Sequence, residues 1–419
     1  MSVIIRNIQI ISPGSPLHGA IEIGIDQGVF MDPSALTDAT EIDGKAAWLI
    51  PGLIDFRVNL REPGLEHKGT IASETRAAVA GGVTSVVATP TTDPVVDSPA
   101  DVRLVLERAK ASGHCRVLPT AMLTQGGGGN HLSEMAALVD AGCVALAQGN
   151  RPFSSRKIEF NALKYAESLG IRVILDSESR DFAGGCAHAG RVGTGLGLSL
   201  NSPLSETLGL GADLELVEAT GVSAHFSRIT TKTAVNRIRE AKAKGLQITC
   251  DVTLSHLLYS EQAVVNLDPN FHLERPLRTE EDRLGLIAGI IDGTIDLIVS
   301  DHSPHETGAK LAPFPETEQG MSLIEGVIQL LVKLDQSGEL SFEQSLTAMT
   351  SKAAQVINQK ELGTIQLGNP ADCVLLNPND STTYDQDHWL STGTNSPLLG
   401  QTLPGRVIGS WINGQHIAP

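Results

Sequence analysis

The chain has 419 residues, with 31 Lys+Arg against 48 Asp+Glu, a formal net charge of −17 and 41% hydrophobic residues. That length buries a large core and suits one large domain plus a smaller one. The acidic balance argues against nucleic acid or an anionic membrane surface as a partner. No apolar run reaches the ~18 residues that a bilayer span needs; the stretch 284–299 is broken by Asp292 and Asp296. Five cysteines (Cys115, Cys143, Cys186, Cys250 and Cys373) form no C-x-x-C pair. They predict reduced thiols in a cytoplasmic protein, without a disulfide frame or a zinc knuckle. The first residues lack a basic segment followed by a longer apolar one, so no signal peptide is expected.

Residues 3–50 alternate apolar and polar side chains between Gly/Pro turns, which predicts short antiparallel strands. The stretches 363–376 and 406–414 have the same texture. Two β segments at opposite chain ends pair into one small sandwich when the intervening domain brings its ends together. Between them, strand patterns at 83–88, 116–120, 144–147, 173–175, 223–226, 248–252 and 295–299 alternate with helix patterns at 70–81, 99–112, 131–141, 158–170, 231–244 and 280–292. Repeated βα units of this length imply a parallel sheet. With the strand at 53–60 there are eight, which would close as a (β/α)8 barrel with its site at the C-terminal strand ends. The expected fold is therefore α/β, a TIM-like barrel over 51–359 with a small β-sandwich domain from 1–50 plus 360–419. The glycine run 126–129 reads equally as a mobile lid or as a plain surface linker.

In the strand at 53–60, Asp55, Arg57, Asn59 and Arg61 alternate with apolar residues and share one surface. A charged stripe of this kind usually marks an edge strand facing water. The run Pro51-Gly52-Leu53-Ile54-Asp55-Phe56-Arg57-Val58-Asn59-Leu60-Arg61-Glu62-Pro63-Gly64 resembles the opening motif of dihydroorotases in the amidohydrolase superfamily, Pro-Gly-x-Ile-Asp-x-His-x-His-x-Arg-Glu-Pro-Gly. The resemblance extends over nearly the whole chain. It implies the split β domain and a site with two divalent metals, which make hydroxide and polarise an amide carbonyl.

The positions that the resemblance assigns to metal ligands are altered. The two histidines are Arg57 and Asn59, and the bridging carboxylate falls in Leu146-Ala147-Gln148-Gly149, leaving Gln148. Asp176 stands at the next histidine and Arg228 at the one after, while Ser300-Asp301-His302-Ser303-Pro304-His305 keeps the ligand and general base Asp301. A guanidinium has no lone pair to donate. Zinc is therefore not expected, and Arg57, Arg228, Asp176 and Asp301 are expected to form an ion-pair network in its place. Arg61 and His305 match the family's substrate residues; Thr91 and Glu274 replace its two substrate asparagines. His225, His256 and His302 read as hydrogen-bonded structural residues, and Ser303 lacks the turn of a nucleophile elbow.

The resemblance points to a catalytically inactive, non-enzymatic chain acting as an assembly subunit of aspartate carbamoyltransferase in pyrimidine biosynthesis. That implies a hetero-oligomer, with self-association as a further expectation. Two alternatives stand beside it. One is an active cyclic-amide hydrolase with a degenerate metal site, using Asp301 as base. The other is a ligand-sensing subunit that binds dihydroorotate or carbamoyl aspartate through Arg61 and His305.

Overall fold

A computed structural model describes residues 2–417; residues 1, 418 and 419, at the outer limits of the small-domain ranges, lie outside them. Eight parallel strands follow one another around a barrel: Leu53–Val58, Val83–Ala88, Arg116–Met122, Ala145–Ala147, Val173–Leu175, Ala224–Phe226, Ile248–Thr253 and Leu297–Val299. Each pairs with the next in parallel register. The first and last strands meet through a parallel bridge between Val58 and His302, and Asn59 N donates to His302 O at 2.9 Å.

The stripe at residues 55–61 does not mark an edge strand. All six residues of Leu53–Val58 are buried, because this strand lies between the second and eighth strands of a closed barrel. Asp55, which is 0% exposed, accepts from Ser300 N across the seam. Its buried carboxyl is pushed up to about 7. Asn59 and Arg61 lie beyond the strand, in the loop that begins the mouth.

The crossover helices start where hydroxyl side chains cap them: Thr70, Ser98, Ser155, Ser202, Thr231 and Thr279 each accept from the first turn. The pattern at 131–141 shortens to Met135–Asp140, because Thr124 and Leu132 pair as an antiparallel bridge. Among the described residues six helices carried no sequence expectation, the longest being Pro203–Thr220, Val327–Gln336 and Phe342–Ala348. Pro203–Thr220 holds Gly209 and Gly211 and shows no clear polar face. At Gly209 a Cβ would stand 2.5 Å from Glu178 N, so the glycine lets this helix press against the end of the fifth barrel strand.

Both chain ends join one seven-stranded sheet, and its core includes Ile5, Ile23, Phe30, Leu49, Leu375 and Trp411. Val3–Ile10 pairs antiparallel with Glu22–Asp26 but parallel with Thr40–Pro51, where an antiparallel arrangement was expected. The segment connecting them crosses over before Thr40. A part of the C-terminal range leaves this sheet altogether. Residues 389–396 return to the barrel, where Ser391 Oγ and Thr392 N donate to Glu74, and Asn395 Nδ2 donates to Ser303 O at 2.9 Å.

Candidate functional site

The C-terminal ends of the first, fifth, sixth and eighth barrel strands bring four charged side chains together. Arg57 Nε donates to Asp301 Oδ1 at 2.8 Å, and its Nη1 reaches Asp176 Oδ2 at 3.3 Å. Arg228 donates from Nε and Nη2 to Asp176 Oδ1 at 3.0 and 2.7 Å, and its Nη1 lies 3.8 Å from Asp301 Oδ2. A fifth member, Glu274, takes Arg228 Nη1 at 2.6 Å. Sequence reasoning assigned Glu274 to the substrate pocket and missed its part in this cluster. The available signal was charge: two histidines have become arginines, and an asparagine has become a glutamate.

Backbone conformation holds the cluster in place. Arg61, Arg228 and Asp301 have φ of 65°, 59° and 52°, a left-handed conformation that costs a non-glycine residue and gathers at functional sites. Asp251 fixes Arg228 by accepting from its backbone N at 2.6 Å and from Ser227 Oγ at 2.9 Å. His225 lies 2.9 Å from the same carboxylate. His302 lies 2.7 Å from Glu74, and His256 is within 2.7 Å of Thr253 Oγ1. All three histidines are buried and partnered.

Burial raises every carboxylate in the cluster, and the arginines decide the outcome. At Asp176 burial is outweighed by Arg228, Arg57 and Arg275, so its pKa is depressed. Glu274 is lowered to about 2 as Arg228 outweighs burial. At Asp301 burial wins over Arg228 and Arg57, and the carboxyl is raised.

Three sequence-assigned positions stand apart. Gln148 turns toward the glycine loop, donating from Nε2 to Thr124 Oγ1 at 2.8 Å and to Gly127 O at 3.3 Å. That bond, with Arg151 Nη1 to Gly126 O and Ser154 N to Gly129 O, ties the glycine run down. Asn59 donates to Ser303 Oγ at 2.8 Å and accepts from Thr89 and from Thr91. Arg61 donates from Nε to Pro304 O at 3.0 Å, and its Nη2 lies 3.0 Å from His305 Nε2. Burial, with Arg61 and Lys68 nearby, lowers His305 to about 3, so its ring is neutral. A cavity of about 510 Å³ opens beside the cluster, lined by Arg57, Arg61, Lys68, Thr91, Glu274 and His305 among others.

The donor set does not fit the divalent metals of the resemblance. Two of the positions are guanidinium groups, and both Asp176 oxygens are spent on arginine. Among the described residues no group of three His, Cys, Asp or Glu side chains has the arrangement to hold a metal ion.

The comparison that decides the family covers the whole chain. A "Dihydroorotase-like protein" from Pseudomonas aeruginosa is 40% identical over 419 residues, covering 99% of both chains. The chain belongs to the dihydroorotase-like family. The "Dihydro-orotase-like" family model matches residues 46–234 of this dihydroorotase-like chain. A "Dihydroorotase" from Aquifex aeolicus is 34% identical, covering 100% of this chain and 99% of its own length. Among solved structures, the L-hydantoinase from Arthrobacter aurescens superposes with a TM-score of 0.87 at 20% identity, over 99% of this chain and 96% of that one, a likeness of fold.

These relatives correct one expectation. A non-enzymatic chain was read from the lost ligand positions, yet full-length relatives at 33–34% identity are named dihydroorotase. Lost metal ligands exclude one way of activating water and do not exclude hydrolysis by other groups. Among the described residues no helix is long and apolar enough to cross a membrane.

Proposed function

We propose that this chain is a cyclic-amide hydrolase of the dihydroorotase type, working without zinc from an arginine–carboxylate cluster. It would open a dihydroorotate-like ring, or close the corresponding N-carbamoyl amino acid. The observation that carries the reading is Asp301 held at 2.8 Å by Arg57, which lines the cavity together with Arg61 and His305. Asp301 has about a quarter of its side chain exposed and a raised pKa, both of which suit a general base.

In this reading Asp301 takes a proton from water as the water oxygen bonds to the ring carbonyl carbon. The carbonyl oxygen becomes an oxyanion and accepts from Arg57 Nη2, which has no hydrogen bond among the described residues. The proton held by Asp301 passes to the ring nitrogen as the C–N bond breaks. Arg61 anchors the substrate carboxylate through Nη1, which has no hydrogen bond among the described residues. One guanidinium N–H replaces a pair of metal ions as electrophile, so turnover is expected to be slow. Aspartate carbamoyltransferase belongs to the proposal as a partner on the family resemblance alone, and co-purification from cells expressing both chains tests it.

The activity is tested by following ring opening of dihydroorotate by chelator-treated protein. Chelator-insensitive hydrolysis lost in Asp301→Asn supports the reading. Hydrolysis at the rate of Asp301→Asn, or only with added zinc, rejects it.

A further inference from the structure

The cavity is lined by side chains of both signs. Arg57, Arg61 and Lys68 supply positive charge; Glu274, Glu316 and Glu318 supply negative charge. Of the acids, Glu274 differs in being locked in place. Its Oε2 is held by Arg228 at 2.6 Å, and Arg228 is held by Asp176 in turn. About a third of the Glu274 side chain remains exposed, and its Oε1 has no hydrogen-bond partner among the described residues. The cluster behind it counts two guanidinium groups, Arg57 and Arg228, against three carboxylates, Asp176, Asp301 and Glu274. With all three acids ionised it carries one negative charge in excess.

A fixed carboxylate oxygen beside a buried arginine suits a ligand with one carboxylate and at least one N–H donor. A cyclic ureide with a single carboxylate meets both demands: its anion goes to Arg61, and a ring N–H donates to Glu274 Oε1. Opening the ring adds a second carboxylate, and nothing in the cluster is left to neutralise it. Arg228 is spent on Asp176 and Glu274, and Arg57, already shared between Asp301 and Asp176, has only Nη2 without a partner among the described residues.

We infer that Glu274 is a specificity-determining residue that selects the cyclic monocarboxylate over the ring-opened dicarboxylate. The inference rests on the proposed ligand class, not on turnover. Because binding is stronger on the closed-ring side, the balance between bound forms is drawn toward ring closure.

Calorimetric titration of the full chain with dihydroorotate and with carbamoyl aspartate tests this. Wild type should bind dihydroorotate at least about tenfold tighter. Glu274→Gln keeps an acceptor of the same shape and removes the charge. It should tighten carbamoyl aspartate about fivefold or more while moving dihydroorotate by less than about twofold. Equal affinities in wild type, an absence of heat with both ligands, or a parallel change of both in the variant overturns the inference. The wild-type comparison stands even where the variant folds poorly. Selective binding without ring opening rejects the proposed hydrolase and leaves the selectivity intact.

Discussion

Arg228 sends two N–H groups, Nε and Nη2, to a single oxygen of Asp176, at 3.0 and 2.7 Å. Both side chains are almost wholly enclosed, at 1% and 0% exposure. A pair this deep is strongly interdependent, since removing either partner leaves the other short of a counter-charge away from water, Arg228 with Glu274 and Asp176 with Arg57.

Asp176→Leu therefore leaves two arginines short of a partner and should lower unfolding stability by about 3–5 kcal/mol. Adding Arg228→Met to that variant should recover a good part of the loss, because the charges are then removed together. Urea unfolding of the three proteins decides it. A single-variant loss below about 1 kcal/mol would mean that solvent reaches the pair.

Acid stability follows from the direction of the shifts. Asp176 and Glu274 have folded pKa values below their unfolded ones, Glu274 at about 2. Their contribution is present above the unfolded value, about 4.3 for Glu, and is lost as pH falls through the folded value. Unfolding midpoints should drop between about pH 5 and pH 2, and Glu274→Gln should drop less steeply. Parallel profiles for the two proteins would refute the assignment.

Chelation should leave the melting temperature unchanged, since no stabilising ion is expected in the cluster. Returning imidazole to three positions, as Arg57→His, Asn59→His and Arg228→His together, should give a protein that takes up about one zinc per chain. Elemental analysis of both proteins after dialysis against zinc provides the answer. Stoichiometric zinc in the unaltered protein would contradict the reading of the cluster.

Gly64 has φ of 90°, and a Cβ there would collide with the carbonyl of Asp93. Gly64→Ala should cost more than about 1 kcal/mol. It should also weaken dihydroorotate binding, because the strained loop it ends carries Arg61. An alanine variant with unchanged stability and affinity would show that the loop yields freely.

Much of the barrel was legible because its strands are short apolar runs bounded by turn residues, and the hydroxyl caps at Thr70, Ser98 and Thr231 mark where helices begin. The helix Pro203–Thr220 was not, since it buries Glu206 and Asp213 and exposes Leu204 and Leu208, which with its glycines hides the 3.6-residue period. At the site, Arg57, Arg228, Asp176 and Asp301 could be placed from motif positions alone. The inclusion of Glu274 and the turn of Gln148 toward the glycine run depend on which strand ends face each other, and motif order along the chain does not specify that. Asp55 and Arg57 are buried and do not face water for a related reason: charge on a strand suggests water until a closed barrel supplies partners such as Ser300 and Asp301.

Glu74, fully enclosed on the first crossover helix, has His302 on one side and Ser391 and Thr392 on the other. The last thirty residues are therefore more than an appendage: they carry a plug that finishes the wall behind the eighth strand. A barrel excised at residue 359 would have a hole there, with an anion at the bottom of it. Neither the barrel nor the tail is a portable module, and shuffling either into another chain would have to bring the other along.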